Sequence, residues 1–165
     1  MNKYVFYDSW WDGMNDYSYD ITGDDYKKMI ETCCKYSTVV SFIFFKKHSN
    51  INLAKELEPY RIDCPDNITY TFSHYVRDLI KNEEIRYYRV CPELCYLLTH
   101  CVGGIFEWIQ GWGLNNPEEP TFYREDGSVF FTSTIHEGEL YLTPRDDEDV
   151  SKIISIDGWR KPRSL

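Results

Sequence analysis

Apolar runs long enough to cross a bilayer are missing from this chain of 165 residues. A spanning helix needs about 20 such residues, and no stretch approaches that. The opening Asn2-Lys3-Tyr4-Val5-Phe6-Tyr7-Asp8 is too short and too polar for a secretory leader. Together these absences predict a cytoplasmic protein. Basic charge is scarce as well: 18 Lys and Arg face 27 Asp and Glu, for a formal net charge of −9. Such a surface repels phosphate backbones and anionic lipid. Nucleic acid and membranes are therefore excluded as expected partners, and a basic protein partner is favoured.

Complete chemical motifs are missing too. Of the six cysteines, Cys33 and Cys34 are adjacent and Cys91, Cys95 and Cys101 are spaced by four and six, so no Cys-x-x-Cys pair exists to build a zinc knuckle. In a cytosolic chain they read as reduced thiols acting as small buried hydrophobes. His100 and Cys101 are neighbours on a predicted helix and point about 100° apart, which does not make a nucleophile pair. Val102-Gly103-Gly104-Ile105 lies in an apolar helical stripe with no lysine after it, so it is not a phosphate loop. Gly111-Trp112-Gly113 ends a predicted helix, where a dinucleotide fingerprint would open one. No repeat, linker or low-complexity block divides the chain, which predicts one domain over residues 1–165. With no catalytic set complete, the expectation is a non-enzymatic protein without a cofactor.

What is present is an aromatic, hydrophobic and acidic domain. Hydrophobic residues make up 42% of the chain, enough for a packed core. Thr22, Asp24 and Asp25 suit a helix N-terminus, and Tyr26, Met29, Ile30 and Cys33 recur at helical spacing, predicting a helix over about 23–36. Thr38 to Phe45 is β-branched and aromatic throughout and reads as a central strand buried on both faces. A short helix is expected at Ile51 to Leu57, a strand at Asn67 to Phe72, and another at Glu84 to Val90. Pro92 opens a second main helix. Its apolar stripe, Leu94, Leu97, Leu98, Cys101, Val102, Ile105, Phe106 and Ile109, predicts one helix over about 92–110, bent at Gly103-Gly104. Asn116 to Phe131 then reads as a strand, an Asp126-Gly127 turn and a second strand. Glu139 to Leu142 adds a third, and the acidic run 146–149 precedes a short helix with Val150, Ile153 and Ile154. The expected fold is α+β: a mainly antiparallel sheet of about five to seven strands, with the two main helices on one face.

Two places carry functional interest. In the first 25 residues Trp10 and Trp11 stand among Asp8, Asp12 and Asp16, with Lys3 as the lone basic residue. Rigid aromatics bury area at low entropic cost and carboxylates select basic partners, so this segment is the expected partner-binding surface. The second place is His136, Glu137 and Glu139, where imidazole and carboxylates together suit a metal ion or an acid–base pair. On a regular strand Glu137 points away from the other two, unless Gly138 breaks the alternation. Further ligands would come from His74, His100 or Glu118.

The run Asn116-Pro117-Glu118-Glu119-Pro120-Thr121-Phe122-Tyr123-Arg124-Glu125-Asp126-Gly127, then Ile135-His136-Glu137-Gly138-Glu139 and Arg145-Asp146-Asp147-Glu148-Asp149-Val150-Ser151, resembles a family of small cytosolic proteins from spore-forming Gram-positive bacteria. Some members are labelled stage III sporulation proteins. Tyr7 to Met14 also fits, so the resemblance covers nearly the whole chain. In general style the chain is also similar to the immunity proteins of polymorphic toxin systems, which neutralise a toxin by binding it. That likeness implies an inhibitor that occludes a basic toxin or nuclease. The alternatives are a small metal-binding or hydrolytic enzyme centred on His136, Glu137 and Glu139, and a sporulation-associated or housekeeping scaffold.

Overall fold

The computed structural model describes residues 2–7, 20–45, 50–69, 83–111 and 113–162. Among them one antiparallel sheet of eight strands carries the fold, which is α+β. Its order is β10 (Trp159–Arg160), β1 (Tyr4–Tyr7), β9 (Glu139–Leu142), β8 (Val129–Thr134), β7 (Glu118–Tyr123), β2 (Val39–Phe45), β4 (Glu83–Arg89) and β3 (Arg61–Ile62). A separate two-stranded ribbon joins β5 (Gln110–Gly111) to β6 (Leu114–Asn115). The helices are α1 (Gly23–Tyr36), α2 (Ala54–Leu57), α3 (Pro92–His100) and α4 (Ser151–Ile154). None of the helices among the described residues is long and apolar enough to cross a membrane.

The core lies on one face of the sheet. Alternation along β2 sends Val40, Phe42 and Phe44 into it, and Phe6, Tyr88, Phe122, Phe131, Leu140 and Leu142 join from neighbouring strands. Helix α1 lays Tyr26, Met29, Ile30 and Cys33 on this face, α3 adds Leu94 and Leu98, and α4 adds Ile153. Strand β2 sits between β7 and β4 and is buried from Val39 to Phe44, as its sequence predicts. The sheet exceeds the expected five to seven strands because β3 and β10 are two residues each, too short to show a period of two. Only part of the expected strand at Asn67 to Phe72 is described; its first residues, 67–69, are not strand.

The expected 92–110 helix is a correction. Helix α3 stops at His100. The chain then turns extended at Gly104, which bridges Thr22, while Ile105 N–H donates to the Ile21 carbonyl at 3.1 Å. A single 3₁₀ turn follows at Ile105–Glu107. Glu107 bends back to accept from the N–H groups of Gly103 and Gly104. The apolar stripe survives because Ile105 and Ile109 are buried without being α-helical. A side chain at 104 would collide with Asp20, since its Cβ would lie 2.3 Å from an Asp20 oxygen.

That contact has a pH signature. Burial pushes the Asp20 carboxyl up to about 6, against the pull of the Phe106 N–H that donates to it. With the folded value above the unfolded one, its contribution is full below the ordinary value of 3.8 and is lost as pH rises through about 6. The full shift corresponds to about 3 kcal/mol, which solvent screening at this partly exposed carboxyl reduces to about 1–2 kcal/mol. Asp20→Asn is expected to remove that part of the pH dependence. Urea denaturation of both proteins from pH 4 to 7 checks it, and identical profiles would exclude it.

Candidate functional site

Strand β7 enters the sheet interior with a proline at its centre. Pro120 has no N–H to give a ladder, so the pairing with β2 must break there. It does: Thr121 pairs with Ser41 and Glu118 with Ile43, leaving Glu119 and Pro120 opposite the single residue Phe42. This is a β-bulge. Glu119 takes the left-handed conformation with φ of 56°, a state costing a non-glycine residue about 1–2 kcal/mol. A regular strand would send the adjacent carboxylates of Glu118 and Glu119 to opposite faces. The bulge instead brings both toward His136.

Each carboxylate is held by backbone. Glu118 is 1% exposed and accepts from Gln110 N–H at 2.5 Å through Oε1, while its Oε2 meets His136 Nε2 at 2.8 Å. Glu119 accepts from Ile135 N–H with both oxygens, at 3.0 and 2.8 Å. His136 stands in the middle of the 3₁₀ turn Ile135–Glu137, which follows β8 and ends at Gly138 with φ of 68°. One ligand-type atom from each of Glu118, Glu119 and His136 lies within 4.8 Å of the other two. The imidazole side chain is 47% exposed, so the group is buried on the carboxylate side and open on the other.

The electrostatics follow from this placement. Burial pushes the Glu119 carboxyl up to about 8, and the Glu118 charge adds to it against the Ile135 N–H. The hydrogen bond that His136 donates to the Glu118 carboxylate raises it above the usual imidazole value. Glu83, at the start of β4, is also raised, first by burial and then by the charge of Glu118. The carboxyls and the imidazole are thus pushed toward holding protons by their burial and mutual charge. Two oxygens and one nitrogen make a donor set suited to a divalent cation or to proton exchange.

The expected trio at 136–139 divides differently. His136 belongs to the cluster, but Glu137 is exposed on the 3₁₀ turn. Glu139 opens β9, where Tyr141 donates its hydroxyl to it. The turn at Gly138 breaks the strand alternation, and the carboxylates that reach His136 come from β7 instead. Glu118 was a foreseeable ligand, whereas Glu119 was not; the signal was a proline inside an otherwise strand-like run, which marks a bulge. His100 lies away from this cluster, stacked on Tyr96, and His74 lies outside the described residues. The candidate partner-binding residues Asp8, Trp10, Trp11, Asp12 and Asp16 also lie outside them. The six cysteines are free thiols: Cys33 is buried, Cys64 is exposed, Cys34, Cys91 and Cys101 are partly buried against the core, and Cys95 is partly buried.

A second feature lies between α2 and α3. Tyr96 is 67% exposed, the largest such exposure of a bulky apolar side chain among the described residues. Its ring stacks on His100 with centroids 4.0 Å apart, and His100 Nδ1 lies 2.8 Å from the Tyr96 carbonyl. These two residues, with Tyr60, Pro92 and Leu97, line an open groove of about 720 Å³, with Glu56 and Glu93 at its margin. Comparison of the chain with family models, with curated proteins and with solved structures returned no match.

Proposed function

We propose that this protein is a non-enzymatic binding module that occludes a basic protein, in the manner of an immunity protein neutralising a toxin. The observation that carries this reading is the groove at Tyr96. A soluble domain leaves a large aromatic in water at a cost, and here the ring is held upright by its stack on His100. Glu56 and Glu93 flank it, and among the described residues no lysine or arginine lines the groove. That pattern fits a cationic side chain of the partner: the ring face attracts the charge, and the carboxylates complete its coordination. The net charge of −9 extends the same preference to long range. The aromatic and acidic segment with Trp10, Trp11 and Asp12 is a second part of the proposed surface.

The test uses three immobilised baits: the wild type, Glu56→Lys/Glu93→Lys, and Asp12→Lys/Asp16→Lys. Each is exposed to lysate of the native host and washed at low and then high salt. The expected result is a basic polypeptide held by the wild type at low salt, released by high salt, and reduced at least about tenfold on one or both reversed baits. A wild-type bait that retains no basic protein overturns the reading, as does a partner held equally by all three.

A further inference from the structure

We propose that Glu118, Glu119 and His136 form a binding site for one divalent transition-metal ion of the zinc or manganese class, a property separate from partner binding. Three observations carry it. The donor atoms lie within 4.8 Å of one another, and ligands of a single ion at about 2.1 Å stand roughly 3.4 Å apart, so small side-chain rotations close the gap. The donors are also mixed. Imidazole nitrogen with two carboxylate oxygens selects zinc, manganese or iron over calcium or magnesium, which take oxygen alone. Finally, the two carboxylates come from a bulge that a proline enforces and are aimed by the N–H groups of Gln110 and Ile135. Gln110 is fixed in turn, donating to the Ile43 carbonyl and accepting from Phe45 N–H, both at 3.2 Å. Such outer contacts orient ligands in metal sites.

Glu118 and Glu119 are both buried beside the imidazole, which leaves their oxygens sheltered from bulk water. The half-exposed imidazole leaves a side open for entry of the ion and for water as a further ligand. A bound ion would tie the bulge of β7 to the turn after β8.

The experiment is calorimetric titration of untagged, chelator-treated full-length protein with zinc chloride and with manganese chloride, magnesium chloride being the hard-ion control. One zinc or manganese ion per chain is expected, weakened at least about tenfold by His136→Ala and by Glu119→Gln. His136 is half exposed, and Glu119→Gln keeps the side chain's size and an acceptor oxygen for the Ile135 N–H, so both variants are expected to fold, which circular dichroism checks. Titration with cobalt(II) separates the sources: nitrogen and oxygen ligation gives no thiolate charge-transfer band. No binding above the magnesium control overturns the proposal. So does zinc held equally by His136→Ala, or a thiolate band, since either assigns the ion elsewhere.

Discussion

Glu148→Ala is expected to cost about 3–5 kcal/mol of folding stability. Arg124 follows β7 and is 6% exposed, yet it carries a full charge. Its guanidinium is bidentate to Glu148: Nε donates to Oε1 and Nη2 to Oε2, each at 2.6 Å. The remaining donors reach the carbonyls of Val129 and Thr143 at 2.7 Å, and the plane lies over the Phe130 ring at 5.2 Å. Removing Glu148 leaves this cation buried with only neutral acceptors, which is the expensive case. It also frees Arg145 N–H, which donates to Glu148 at 2.7 Å. In a chain of this size the loss corresponds to a fall in Tm of about 6–20 °C. Arg124→Ala/Glu148→Ala is expected to be no worse than the more damaging single change, because the second removes a group already orphaned. Differential scanning calorimetry of the three variants decides it, and a Glu148→Ala loss under about 1 kcal/mol would show that the pair is not buried in solution.

The same pair sets an acid limit. Burial alone would raise the Glu148 carboxyl, but the hydrogen bond and charge of Arg124 outweigh it and bring the group below the ordinary glutamate value of 4.5. With the folded value lowered, the stabilisation is present above that value and is lost as pH falls through the folded one. Its sign is opposite to that of Asp20.

Trp108→Ala is expected to cost a similar amount, about 3–5 kcal/mol. The indole is 1% exposed and lies 4.8 Å from the Phe42 ring, between the sheet and the helices. It also donates through Nε1 to Tyr26 Oη at 3.0 Å, and that hydroxyl donates onward to the Leu98 carbonyl at 2.6 Å. One chain of two hydrogen bonds therefore links α1, α3 and the segment after them. Tyr26→Phe leaves the volume intact but strands the indole N–H, and is expected to cost about 1–3 kcal/mol. Chemical denaturation of both variants separates packing from polarity. A Tyr26→Phe loss as large as that of Trp108→Ala would mean that the hydroxyl relay, not ring volume, dominates this junction.

Much of this architecture is written locally. Helix α1, the central strand β2, the Asp126-Gly127 hairpin and β9 each follow from the spacing or turn chemistry of a few adjacent residues. Gly127 shows why the turn is so legible: its φ is 81°, and a Cβ there would lie 2.2 Å from the Asn67 carbonyl oxygen. The end of α3 was not legible, because the burial of Ile105 and Ile109 mimics a helical stripe. What stops the helix is a bridge to Thr22, 82 residues earlier. The candidate site was half legible. His136 and a carboxylate were foreseeable; which carboxylates was not, because adjacent Glu118 and Glu119 converge only through the register break that Pro120 imposes against β2. That break depends on a partner strand some 80 residues away.

The sheet begins and ends with strands of two residues, β10 and β3. A stranger's chain seeking to extend it would find room for only a couple of bonds at either margin before the backbone turns away. A protein with 17% aromatic residues and tracts such as Val39–Phe45 carries a real hazard of fibril formation once those tracts are exposed. Among the described residues, the folded state guards against that at the two ends of the sheet by the brevity of its outermost strands.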